Sequence, residues 1–350
     1  MVETEMRSSN VTPWIAVVAF LAVMVGGCVQ QRTIGELPAP RSRDDMAALV
    51  RDFKAFERQI GFRETDNFRA FSDETHDFPF CGYVSRFYLP YSYEDPAIHW
   101  ADSVTEEECR ALAKDADVYF GASEAVGESA TPITLSMLKA PLDRLLYVVI
   151  HEDCHDQFDF PHGIEEALCN MISQEAMMAF SEGPSRFTRG EYAAIRHYAQ
   201  GEDRRSRTAR TFYERLSGVY ARYHAGRIMQ EEVLRERTRI FRDAEHALDW
   251  EAGTMNNVAL ANAMTYSRHY VFFETVFQSL GRDLARTVAF FKCVDEAKPR
   301  TQEVLKKHRL RTDRGVKFIR TYEAAIIQDI EQALAREFRS ASTALAACRT

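Results

Sequence analysis

The sequence predicts an α+β chain, a small mixed β-sheet followed by a predominantly helical body. Three observations carry that reading. Residues 66 to 136 hold short runs rich in β-branched and aromatic residues. From Pro141 onward apolar residues recur at helical spacing almost to the end. Strand-like segments come first and helical ones after, the order of an α+β fold and not of a βαβ repeat. With 350 residues, 46% hydrophobic and 27% charged, the chain is long enough and apolar enough to bury a sizeable core. Its 44 basic residues are outnumbered by 52 acidic ones, a net charge of −8, which argues against a general phosphate-binding surface and against nucleic acid as a partner.

In chain order, Trp14 to Gly27 is an uninterrupted run of apolar or small residues, too short to span a bilayer and read as a signal segment. It ends in Val25-Gly26-Gly27-Cys28, which resembles the bacterial lipobox. That resemblance implies that residues 1–27 are removed and that Cys28 is lipidated as the mature N-terminus. Glu3 and Glu5 outweigh Arg7 in the present n-region, whereas a start at Met6 would give a short basic one. Residues 28–43, with Pro38 and Pro40, then form a tether, and residues 44–350 a single domain held to a membrane of the cell envelope, facing the periplasm.

The domain opens with an amphipathic helix, because Met46, Leu49, Val50, Phe53, Phe56 and Ile60 share one face behind Ser42 and Asp44 as cap candidates. Strands are expected at Asn67 to Phe71, Cys81 to Leu89, Asp117 to Gly121 and Thr131 to Met137, with a helix at Thr105 to Lys114. Pro141 suits the first turn of the next helix. Breaks are expected near Pro161, Gly183, Gly201, Gly253, Gly281 and Pro299. The Arg204, Arg205, Arg207 and Arg210 group is followed by Glu214, Glu231, Glu232 and Glu236, the mixed pattern of two solvated helices in a hairpin. Of the cysteines, Cys81 and Cys109 could pair, while Cys154, Cys169 and Cys293 fall in helical patterns and read as buried thiols.

The chemistry is concentrated in Tyr147-Val148-Val149-Ile150-His151-Glu152-Asp153-Cys154-His155, an HExxH motif inside a strongly apolar helix. His151 and His155 at i and i+4 project from one face and can share a metal, with Glu152 one step round. Two neutral imidazoles suit Zn²⁺, which needs a third protein ligand and an open position for water. Burying such a set without a purpose would be costly. For the third ligand, a metzincin would place Gly at 158 and His at 161, where this chain has Phe158 and Pro161. His162, one residue late, is one candidate. A turn through Asp159 to Gly163 can instead send an antiparallel helix back past the histidines, bringing Glu165 or Glu166 to the site.

Ile164-Glu165-Glu166-Ala167-Leu168-Cys169-Asn170 resembles the gluzincin NExxxD motif, with Glu166 at the ligand position and Asn170 at that of the outer Asp. Phe78-Pro79-Phe80-Cys81-Gly82-Tyr83-Val84, Ser136-Met137-Leu138, HExxH, and Met255-Asn256-Asn257-Val258-Ala259-Leu260 with Tyr266 and Phe272 together resemble the bacterial putative aminopeptidase family, HExxH zinc peptidases often made as lipoproteins. The chain departs from that family in a shortened stretch between Gly121 and Ser136 and in Asp153 and Cys154, where small or aliphatic residues are usual. The resemblance implies Zn²⁺ on His151, His155 and Glu166, Glu152 activating water against a peptide carbonyl, and Asn170 accepting a hydrogen bond from a ligand imidazole. Tyr266 is the candidate donor to the developing oxyanion. The Thr131 to Met137 strand would offer an edge for substrate backbone. A second function class stays open, an inactive lipoprotein of this fold that binds a partner.

Overall fold

The computed structural model describes residues 42–73, 78–102, 104–123, 130–182 and 187–340. The expected signal segment, Cys28 and nearly all of the tether lie outside the described residues. Helix α1 (Arg43–Gln59) starts at Ser42, whose hydroxyl accepts from the Asp45 N–H in a capping box. It buries Met46, Leu49, Val50 and Phe53, the stripe read from the sequence. Strands β1 (Phe78–Ser85) and β2 (His99–Asp102), helix α2 (Glu106–Ala111) and strand β3 (Ala116–Ser123) follow. The three strands make one sheet in the order β2-β1-β3, antiparallel throughout and not mixed as expected. Gly82 on β1 lies under the Trp100 ring, where a Cβ would come within 2.6 Å of it. Cys81 and Cys109 are disulfide-bonded, fastening α2 to the central strand.

Two expected strands are not strands. Asn67 to Phe71 forms turns, with Phe71 meeting Ile133 in an isolated parallel bridge. Thr134 then caps the short helix α3 (Leu135–Lys139), its hydroxyl accepting from the Met137 N–H, so most of Thr131 to Met137 is helical or irregular. A Thr capping signal overrides the β-branched run, and the substrate-pairing edge assigned to this segment is lost with it.

The body is helical: α4 (Leu142–His155), α5 (His162–Ser181), α6 (Arg189–His224), α7 (Gln230–Leu248), α8 (Asn257–Ser267), α9 (Tyr270–Ser279), α10 (Leu284–Ala297), α11 (Thr301–His308) and α12 (Val316–Ser340). Helix α5 is apolar nearly all round and sits in the middle, packed against α4, α6, α8 and α9. Its Ile164, Leu168, Met171 and Ile172 are fully buried, each contributing about 1.5–3 kcal/mol relative to exposure. Helices α6 and α7 form the expected hairpin, laced on its outer side by Arg215–Asp243 at 2.9 Å and Arg222–Glu236 at 2.5 Å. The break expected at Gly201 is absent, because α6 runs straight through it. That glycine instead leaves room for the Arg205 guanidinium, which folds back over it. Asn256 caps α8 and donates to the Val118 carbonyl at 2.7 Å, while the Asn257 N–H donates to Asp117, so this pair docks α8 on β3.

Candidate metal centre

Helical spacing on α4 places His151 and His155 one turn apart with their Nε2 atoms 3.3 Å from each other. The first turns of α5 bring Glu166 to both: its Oε2 is 3.1 Å from His151 Nε2 and 3.5 Å from His155 Nε2. A tetrahedral zinc with bonds of about 2.0–2.1 Å spaces its ligand atoms by about 3.3 Å. The three separations match the edges of that tetrahedron, and two imidazoles with one carboxylate are the donor types it prefers. Among the described residues, His151, His155 and Glu166 are the group that could hold a metal ion.

The surroundings support that use. Glu165 stands outside that group; its Oε1 accepts from the His155 Nδ1–H at 2.8 Å, which orients the ring with Nε2 toward His151 and Glu166. Its Oε2 accepts from the Phe160 N–H at 2.9 Å, which holds the carboxylate in place. Burial pulls His155 down, but the Glu166 charge, hydrogen bonds to Glu165 and Glu166, and the Glu152 charge outweigh it and hold the imidazole well above its usual value. Glu166 is pushed up by burial, yet His155, His151 and His162 carry it well below the carboxylate range. Two carboxylates in contact with two imidazoles make a site that favours a cation. His162, half-exposed and against the Tyr93 ring, stands 3.6 Å from the other oxygen of Glu166 and outside the cluster.

Two expectations at the site are corrected. Asn170 does not receive an imidazole N–H: its Nδ2 donates to Glu202 at 2.9 Å and its Oδ1 accepts from Gln174 at 3.3 Å. His151 Nδ1 has no hydrogen-bond partner, and the face of its ring is covered by Tyr147, stacked at 5.0 Å. Cys154 and Cys169, read as thiols, are disulfide-bonded. That bond ties α4 to α5 beside the turns that carry His151, His155 and Glu166, a pairing that spacing alone does not reveal. Cys293 is half-buried and lies outside both disulfides.

Asp153 faces away from the cluster and is fully buried, where Lys54, Thr65 at 2.6 Å and Asn67 at 3.2 Å converge on it. It anchors α1 and the following loop to α4, which explains an acidic residue inside an apolar helix. Glu152 is partly exposed and next to His151 in the chain. Tyr266, on α8, is half-buried with its ring centroid 6.1 Å from that of His151. Sequence reasoning missed Glu165 as the support of His155 and Gln174 beyond Asn170; the i, i+4, i+8 row Glu166, Asn170, Gln174 was the available signal for the second.

No curated protein and no solved structure matches the chain. A family model described as "Putative aminopeptidase" matches residues 64–305, a span that holds the sheet, the HExxH helix, the Glu166 helix and the α8 segment with Tyr266. That match covers well over half of the sequence, and the chain belongs to this putative aminopeptidase family.

Proposed function

We propose that the protein is a zinc-dependent peptidase of the gluzincin type, held by a lipid on Cys28 at the bacterial cell envelope. The observation that carries the reading is the cluster of His151 Nε2, His155 Nε2 and Glu166 Oε2 at tetrahedral spacing. His151, His155 and Glu166 would hold the metal, with Glu165 orienting His155. Zinc, when bound, supplies a Lewis acid that polarises a peptide carbonyl and lowers the pKa of a water to about 7.

The remaining steps belong to this chain's residues. Glu152 lies next to a ligand without being one, so its carboxylate is available to take the proton of the attacking water and to pass it to the leaving amine. The Tyr266 hydroxyl donates a hydrogen bond to the oxygen that gains charge as the carbonyl is attacked. Lipid attachment rests on Val25-Gly26-Gly27-Cys28, outside the described residues; among those residues no helix is long and apolar enough to cross a membrane. Zinc stoichiometry of the purified protein, measured beside hydrolysis of a mixed peptide library, tests the proposal. One zinc per chain with metal-dependent cleavage is expected. Bound zinc without cleavage of any peptide would favour a binding lipoprotein instead.

A further inference from the structure

The first turns of α5 carry the carboxylate of the metal centre, and one glycine there is crowded. Gly163 precedes Glu166 by three residues, on the same face of the helix and about 4.5 Å back along its axis. A Cβ on Gly163 would fall within 3.0 Å of Glu323 Oε1, closer than real Cβ atoms come to anything, so either the carboxylate or the turn would have to move. Glu323 belongs to α12, which packs on α5.

A glutamate at a surface would swing aside. This one is 2% exposed, and its other oxygen accepts from the Tyr91 hydroxyl at 2.5 Å and from the His269 Nε2–H at 3.1 Å. Both donors are fixed in turn. Tyr91 is buried, Arg268 and Arg320 lie over its ring, and Arg268 also donates to its carbonyl. His269 stands at the start of α9. Moving the carboxylate would break these bonds inside the protein, where unmade hydrogen bonds are costly. The turn, for its part, moves as one piece, because the Ile164 and Glu165 N–H groups both donate to the Pro161 carbonyl. A displacement at Gly163 therefore carries Glu165, the support of His155, and Glu166 with it.

We propose that Glu323 is a positioning residue: its fixed carboxylate is the stop on which Gly163 seats the first turn of α5, and so sets where Glu166 meets His151 and His155. The proposal rests on the reading of that cluster as a metal centre. Ligand side chains have to be held to within about 0.5 Å, a tolerance that one added methyl at this contact exceeds or nearly so.

Zinc affinity of the full-length protein, measured by competition with a chromophoric chelator beside urea unfolding, tests this. Gly163→Ala should weaken zinc binding about 10–100-fold, the range for a disturbed ligand support. Glu323→Ala clears the space that the methyl needs, so Gly163→Ala/Glu323→Ala should regain about tenfold over Gly163→Ala, the coupling expected of residues in contact. Glu323→Gln keeps the shape and both accepted hydrogen bonds and should hold zinc as wild type does, where Glu323→Ala alone does not. A contact that served stability only would lower the urea midpoint of Gly163→Ala and leave its zinc affinity at the wild-type level; that result, or a loss that Glu323→Ala does not relieve, overturns the assignment. If the double variant does not fold, the affinities of Gly163→Ala and Glu323→Gln decide alone. A wild type that takes up no zinc overturns the metal reading and this proposal with it, whereas zinc in wild type beside an unaffected Gly163→Ala overturns this proposal only.

Discussion

Glu166 and Glu165 are neighbours with different work, one facing the imidazoles' Nε2 atoms and the other behind His155. Removing Glu166 leaves two ligands, whereas removing a hydrogen-bonded support costs about 10–100-fold in metal affinity. Zinc retention, measured by competition with a chromophoric chelator, should therefore fall in the order His162→Ala least, Glu165→Ala next and Glu166→Ala most. Loss of zinc in His162→Ala with retention in Glu166→Ala would move the ligand role to His162. Helical periodicity alone did not choose between the two glutamates, because adjacent residues differ by 100° and only the approach of α5 to α4 decides which one points inward. Glu57 carries a second residue-scale prediction. Burial first, then the charge of Asp153 and a hydrogen bond to it, raise its carboxyl well above the usual value. A raised carboxyl gives stability that is fully present below pH 4.5, its ordinary value, and is lost as pH rises through the folded-state value. Glu57→Gln does not ionise, so its Tm relative to wild type should climb with pH across that window; a difference that stays flat from pH 4 to 8 would contradict this.

At the scale of elements, the first helix and the charged hairpin of α6 and α7 were legible in the sequence because each carries an amphipathic stripe, and the HExxH helix because of its long apolar run behind Pro141. The segments around 67–71 and 131–137 were not, since a short β-branched run looks alike in a strand and in a turn that leads to a Thr-capped helix. Gly201 misled for a related reason: a helical glycine can mark a close side-chain approach instead of an end. The Cys154–Cys169 bond joins α4 to α5 across a sequence separation of 15, and closing a loop of that size is worth about 3 kcal/mol through the unfolded state. Replacing both cysteines by Ala should lower the stability by about 2–3 kcal/mol in urea unfolding and weaken zinc retention, because the two ligand-bearing helices lose their tie. An unchanged urea midpoint would show that packing around α5 holds them without it.

Over the whole molecule, the order of sheet first and helices after was readable, and so was the meeting of His151 and His155 with the following glutamates, because these residues are local in sequence. The cavity bordered by Tyr119, Tyr147, Gln174 and Tyr266 was not, since β3, α4, α5, α6, α7 and α8 supply its walls from residues 119 to 267, and no local pattern announces that meeting. The proposed anchoring concerns the chain as a whole. Cys28→Ser should release the protein from the membrane fraction, and mass analysis of the mature wild-type chain should find a lipidated Cys28 at its start; an intact Met1 or Met6 would contradict it. The central claim is that a metal held by His151, His155 and Glu166 works together with Glu152 to hydrolyse peptides. Zinc content and peptidase rate of Glu152→Gln, measured on the same preparation, test it most directly. Zinc at the wild-type level with the rate reduced about 10²–10⁴-fold is expected for a lost general base. Full peptidase activity in that zinc-loaded variant would contradict the account.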